Sequence, residues 1–343
     1  MTAPAERLDR FMARAVSAYY AARDPFGRAG DFTTAPEISQ AFGECLGLWS
    51  AVAWEAMGRP DPVLLVELGP GRGTLMADAL RAAADVAAPF RAALRVHLVE
   101  ASPRLREAQR ARLGDGAVAA WHDDVAQVPP GPAIVLANEF FDALPIRQFV
   151  RRGAGWAERH VSNGAFVERP AEDDAPPLPA DAPEDAVQEV SEAGRALAAA
   201  LGARLAAQGG AALALDYGPA AGGFGDSLQA LRGHEPADPL ADPGSSDVTA
   251  HVDFAALAAA ARGAGAAVHG PLPQGLFLQR LGLMSRAAVL ARAAQMAGKG
   301  RDQAGLILSG AERLVAPERM GRLFKALCLC DPALPPPPGF EAA

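Results

Sequence analysis

Cysteine is scarce in this chain: three residues in 343, Cys45, Cys328 and Cys330. An odd number so thinly spread excludes a disulfide-built scaffold and favours a reducing compartment. Excess positive charge is missing as well. Lys and Arg together number 32 against 40 Asp and Glu, a net charge of −8. That argues against a general nucleic-acid binder, which needs a basic face for phosphates, and no nucleic-acid partner is expected. No segment offers about 20 uninterrupted apolar residues, the length that spans a bilayer, and no membrane insertion is expected. The first residues, MTAPAERLDRFMARAV, contain no apolar run followed by a small-residue cleavage site, and Glu6 and Asp9 speak against a transit peptide. A cytoplasmic location is the expectation. The six histidines show no ligand-like spacing, and Cys328 and Cys330 face one side of a candidate strand without further ligands nearby. No metal is expected.

What is present has a globular composition, half hydrophobic and 21% charged, able to bury a large core. Helical spacing runs over residues 5–23 and 37–57, with Pro36 suited to a first helical turn. Residues 63–68, Val-Leu-Leu-Val-Glu-Leu, form a continuous apolar run of strand length, followed by a glycine turn and a helix over 74–84. Strands at 95–100, 118–121 and 133–138 alternate with a helix at 103–112, a pattern that predicts βαβ units and a buried parallel sheet. Residues 147–150 and 157–161 predict an antiparallel hairpin, and the Pro- and Asp-rich residues 170–183 a surface connection. A helix over 184–207 precedes a buried strand at 211–218. Residues 219–247 read as a long irregular lid or binding loop. Asp253 is placed to cap a helix over 254–262, helices follow at 284–297 and 302–314, and 323–330 is a last strand. The expected division is an N-terminal helical or lid segment (1–60), a Rossmann-like core (61–150), an inserted hairpin, linker and helix (151–210), the remainder of the sheet with C-terminal helices (211–331) and a Pro-rich tail (332–343).

The chemistry concentrates in Glu67-Leu68-Gly69-Pro70-Gly71-Arg72-Gly73-Thr74, between a strand and a helix. Glycines there let the backbone approach a ligand at the sheet's carboxyl edge. A dinucleotide fingerprint wants a glycine where Thr74 stands. Glycines at the first, third and fifth places, with an acid two residues earlier, look like the S-adenosyl-L-methionine turn of class I methyltransferases. Glu100, at the end of the second strand, can accept hydrogen bonds from both hydroxyls of a ribose. Asp123 and Asp124 stand where an adenine amine would lie, with helix capping an equal alternative. The fourth strand delivers Glu139 and Asp142 to the same edge, where two carboxylates can grip a guanidinium in a fixed fork. The bland alternatives are an ion pair between Glu139 and Arg147 and a helix cap by Asp142. Asp31, Phe32, Thr33, Thr34 and Glu37 are candidates for a lid over the cofactor, and His251 for the site rim.

Gly30-Asp31-Phe32-Thr33-Thr34-Ala35-Pro36-Glu37-Ile38-Ser39-Gln40 resembles the opening signature of the MidA-like methyltransferases, relatives of the mitochondrial complex I assembly-factor arginine methyltransferase. The resemblance continues through the glycine turn, His97-Leu98-Val99-Glu100, Glu139-Phe140-Phe141-Asp142-Ala143-Leu144-Pro145, Asp216-Tyr217-Gly218 and Asp247-Val248-Thr249-Ala250-His251-Val252-Asp253-Phe254, covering roughly residues 15–330. It implies a class I methyltransferase fold, a doubly wound α/β sheet with an added hairpin and helical segment. It also implies that the chain uses S-adenosyl-L-methionine to methylate arginine in a subunit of respiratory complex I during assembly. The start close to the first motif fits a bacterial, cytoplasmic relative. The rival readings are a small-molecule methyltransferase on the same fold, a non-catalytic assembly chaperone and, remotely, a nicotinamide oxidoreductase.

Overall fold

A strand that is apolar at every position has no face to offer water and must be covered on both sides. Val63–Leu68 (β1) and Ala133–Asn138 (β4) come close to this, broken only by Glu67 and Asn138, and with Leu94–Val99 (β2), which carries Arg95 and His97, they form the middle of a sheet in a computed structural model describing residues 5–22, 33–298 and 300–341. Ala120–His122 (β3), Gly210–Tyr217 (β5), Ala267–Pro273 (β6) and Phe324–Cys330 (β7) complete it. Among the described residues the sheet has seven strands in the order β3-β2-β1-β4-β5-β7-β6. β1 to β5 run parallel, whereas β7 is antiparallel to both β5 and β6. The order reverses between β1 and β4, and the crevice outside the carboxyl ends of these strands is where open α/β sheets bind ligands. Helices Gln40–Ala56, Thr74–Val86, Leu283–Met296 and Gly300–Val315 cover one face, packing Phe42, Trp49, Leu75 and Leu314 on it. Helices Glu192–Gln208 and Phe254–Gly263 cover the other through Leu201, Leu205, Phe254 and Leu257.

Two small sheets stand beside the main one. The expected hairpin is Arg147–Arg152 with Gly155–Ser162, and Ala165–Pro170, Val187–Val190 and Glu6–Arg7 join it. The N-terminal segment therefore pairs directly with the inserted one. Arg147 and Glu158, both buried, form a two-pronged ion pair inside this sheet at 2.7 and 2.8 Å. Glu235–Ala237, Gln229–Arg232 and Asp247–Thr249 make the third sheet.

Some elements differ from expectation. The predicted helix over 184–207 begins only at Glu192, capped by the Ser191 hydroxyl, because Val187–Val190 pairs instead with Arg147–Val150. Long-range pairing overrides a weak local helical pattern there. The stretch 219–247 contains two short strands rather than only irregular loop. β6 and the helix Gln274–Arg280 were not anticipated: His269-Gly270-Pro271 interrupts the local strand pattern, and the pairing of β6 with β7 shifts register at that point.

Candidate functional site

The carboxyl ends of β1, β2, β4 and β5 open into a cavity of about 1020 Å³. On one side it is walled by the turn after β1. Gly69, Gly71 and Gly73 all adopt positive φ, at 60°, 53° and 74°. A Cβ on Gly69 would lie 2.8 Å from the Phe140 ring, so this position needs glycine twice over, for its backbone and for its close neighbour. Glu67, Gly69, Gly71, Arg72 and Thr74 line the cavity; Gly73 instead precedes helix Thr74–Val86 as its cap residue. Glu67 is 3% exposed, and its Oε2 has no partner among the described residues. Burial and the nearby Glu100 carboxylate push its pKa up to about 8.

Glu100 lines the same wall. Its Oε1 accepts the Ser102 N–H at 2.8 Å, its Oε2 faces Gln109 Nε2 at 3.3 Å, and burial raises its pKa to about 7. Gln109, fully buried, also donates to the Gly71 carbonyl at 2.7 Å and accepts Trp121 Nε1–H at 2.8 Å. Nothing in the sequence reading singled out Gln109. The available signal was its position four residues after Leu105, which puts both on the buried face of a polar helix. Asp123 and Asp124 reach the rim, but each is engaged: Asp123 pairs with Arg106 at 2.7 Å, and Asp124 accepts Ala126 N–H at 2.8 Å as a cap.

The opposite wall comes from the turn after β4. Asp216, ending β5, accepts the backbone N–H groups of Phe140, Phe141 and Asp142 at 3.1, 2.9 and 3.2 Å. Three residues of the turn are thereby held in one geometry, directly after Glu139 at φ 49°. Burial, with Asp142 beside it, raises the Asp216 pKa. Asp216 repeats the signal that marked Glu100, an acid at a strand end, yet it binds backbone rather than ligand. Glu139 Oε1 accepts Ala35 N–H at 3.0 Å and Asn138 Nδ2–H at 3.1 Å. Its Oε2 has no bonded partner among the described residues. Burial and the neighbouring Asp142 push the Glu139 pKa up to about 7, and burial puts Asp142 at about 6. The alternatives weighed for these two acids do not hold: Arg147 is committed to Glu158, and no helix follows Asp142 for it to cap.

The Tyr217 hydroxyl, beside Asp142, donates to Thr249 Oγ1 at 2.6 Å. Tyr20 Oη reaches Asp247 Oδ1 at 3.3 Å on the same side. His251 stands edge-on to Tyr217 at 5.6 Å on the rim. Of the lid candidates, Thr33, Thr34 and Glu37 line the cavity, and Thr74 Oγ1 donates to Glu37; Asp31 and Phe32 lie outside the described residues. Among the described residues no three His, Cys, Asp or Glu side chains group as a metal site, and no helix is long and apolar enough to cross a membrane.

One wall thus offers a backbone cradle and two buried acids, one with an orphaned oxygen. These suit a ligand that carries a positive charge and a diol. The other wall presents two acids on a rigid turn. Residues 45–272 match the S-adenosyl-L-methionine-dependent methyltransferase family. The chain is 37% identical to the Drosophila melanogaster homologue of the mitochondrial protein arginine methyltransferase NDUFAF7, over 95% of this chain and 80% of that one. It is 35% identical to the mouse protein of that name, with the same coverage. A superfamily member from Burkholderia thailandensis, crystallised with S-adenosyl-homocysteine bound, superposes with a TM-score of 0.79 at 30% identity, covering 99% of this chain and 89% of that one.

Proposed function

The chain belongs to this family of S-adenosyl-L-methionine-dependent methyltransferases, and from that premise we propose that it methylates arginine in a protein acceptor. Its cofactor is S-adenosyl-L-methionine, which when bound supplies an electrophilic methyl group on a positively charged sulfur. The proposed contacts are the cradle of Gly69, Gly71 and Gly73, Glu100 for the ribose hydroxyls and Glu67 for the cation. Thr74, Asp123 and Asp124 stand at the edges.

The observation that carries the arginine reading is the pair Glu139 and Asp142 on one turn, facing the cavity that the glycine turn closes from the other side. A planar guanidinium offers its N–H donors in a fork that two carboxylates can hold, whereas a lysine ammonium does not. A neutral acceptor would leave both acids buried at a cost. Glu139 Oε1 is anchored by Ala35 and Asn138, leaving Oε2 for the acceptor. With its pKa near 7, that oxygen can also take the proton the guanidinium nitrogen gives up on gaining a methyl group. Thr33, Thr34 and Glu37 fold over the cofactor and exclude water, and His251 guards the rim.

The named relatives act on protein arginine, and the motif resemblance extends to complex I assembly factors, so a complex I subunit in a bacterial cytoplasm is the acceptor we propose. Incubating the protein with labelled S-adenosyl-L-methionine and that subunit, then mapping the label by mass spectrometry, tests it. Label on arginine is expected; label on lysine, a carboxylate or small metabolites alone would overturn the arginine reading.

A further inference from the structure

A second cavity of about 590 Å³ lies beside the first, and His251 and Leu323 line both. Its wall carries three cations, Arg195, Arg322 and Lys325. This is unusual placement in a chain of net charge −8. Among the described residues, the Arg195 and Arg322 guanidinium groups make no ion pair or hydrogen bond. Lys325, 9% exposed, gives its three N–H bonds to the carbonyls of Gly218, Arg322 and Leu323 at 2.6–3.0 Å, so its charge meets no carboxylate. Burial and the neighbouring Arg322 hold its pKa below the usual lysine range.

The two acids on the same wall are already engaged. Glu189 accepts from Gln148 Nε2 at 2.7 Å and from the Ser227 N–H at 2.9 Å, and Asp253 accepts from Ala256 N–H at 3.0 Å. The helices that start after Ser191 and Asp253 both open onto this cavity, adding the positive ends of their dipoles. Of the three cations only Lys325 is buried, Arg195 being half-buried and Arg322 exposed; none of them meets a carboxylate among the described residues, and the open guanidinium donors suit an anion.

We infer that this cavity is a subsite for a carboxylate side chain of the protein acceptor, close in sequence to the arginine that enters the first cavity. The inference rests on the protein-arginine reading of that first cavity. The cavities adjoin at His251 and Leu323, so an extended peptide passing these residues would reach both. Arg195 and Arg322 then grip the carboxylate with their free donors, and Lys325 contributes through its field. Sequence selection would thus come from residues far from the methyl group.

The test uses the protein saturated with S-adenosyl-homocysteine and fluorescein-labelled peptides bearing one arginine. A glutamate is walked along about four residues on each side of it, with glutamine at the same places as control. Anisotropy should show one or two positions where glutamate tightens binding about tenfold. The preference should vanish in the Arg195→Ala, Arg322→Ala double variant, with the glutamine peptides binding as before. Glutamate binding no tighter than glutamine at every position, or a preference that survives the double variant, overturns the inference. Methyl transfer from S-adenosyl-L-methionine is followed separately on the same peptides. Selective binding without label on arginine would sink the arginine reading alone, whereas labelled arginine without selective binding would sink only the subsite.

Discussion

Gln109 Nε2 stands 3.3 Å from Glu100 Oε2, and the same nitrogen donates to the Gly71 carbonyl at 2.7 Å. One carboxamide therefore ties the acid that ends β2 to the glycine turn that ends β1. Gln109→Leu keeps the volume but strips partners from the Gly71 carbonyl and from Trp121 Nε1–H, at about 1–3 kcal/mol for each group left buried and unpaired. Melting temperature should fall by several degrees and the Kd for S-adenosyl-L-methionine should rise about tenfold, read by calorimetry. A destabilised protein with unchanged Kd would show that Glu100 is oriented without it.

Ligand specificity follows from the turn. A ligand at a hundred times its Kd stabilises the folded state by about 2.7 kcal/mol. S-adenosyl-L-methionine and S-adenosyl-homocysteine should both raise the melting temperature, and NAD should not. Gly71→Val should abolish the shift, since a branched side chain is strained at φ 53° and intrudes on the cavity.

The acids around the cradle carry a pH signature. Burial raises Glu67 from 4.5 to about 8 and Glu100 from 4.5 to about 7. An acid with a folded-state pKa above its unfolded value binds its proton more tightly when folded. Its contribution is therefore fully present below the unfolded value and is lost as pH rises through the folded one. Ligand-free protein should lose stability from about pH 5 to pH 8 and then level off. Cofactor affinity should move the other way, tightening as Glu100 ionises, and Glu100→Gln should flatten that slope. A Kd independent of pH in the unaltered protein would remove the proposed ribose contact.

Glu139→Gln preserves shape and the bonds to Ala35 and Asn138 while removing charge. Cofactor Kd should stay within about twofold and methyl transfer should fall by about a hundredfold or more. Loss of cofactor binding instead would put Glu139 on the wrong wall.

Asp216→Ala removes the carboxylate acceptor of four backbone N–H groups, those of Phe140, Phe141, Asp142 and Tyr217. A cost of about 3 kcal/mol is expected from orphaned buried donors, measured by denaturant unfolding. Turnover should drop with it, because the turn bearing Glu139 and Asp142 loses its anchor. Unchanged stability and turnover would show that the turn holds its own geometry.

Strand periodicity made most of the parallel sheet legible: β1 and β4 lie where their apolar runs end, and β2 and β5 within a residue of expectation. The glycine turn was legible for the same reason, since spacing along six residues is a local property. Gln109, which braces the wall from behind, and Tyr20, which lines the cavity, were not, because each comes from a helix whose polar residues otherwise read as surface. Asp216 carried a signal, but whether a strand-end acid meets a ligand or a loop depends on which turn packs above it.

By itself the sequence determined the alternation of strands and helices, the cradle and the acids at strand ends, because each depends on residues close together in the chain. Tertiary structure decided the rest. It slid β7 between β5 and β6, joined residues 6–7 to the strand Gly155–Ser162, and gathered Arg195, Arg322 and Lys325 into one wall. These contacts join segments far apart in the chain, and burial and hydrogen-bond register across that separation leave no periodic mark in either segment.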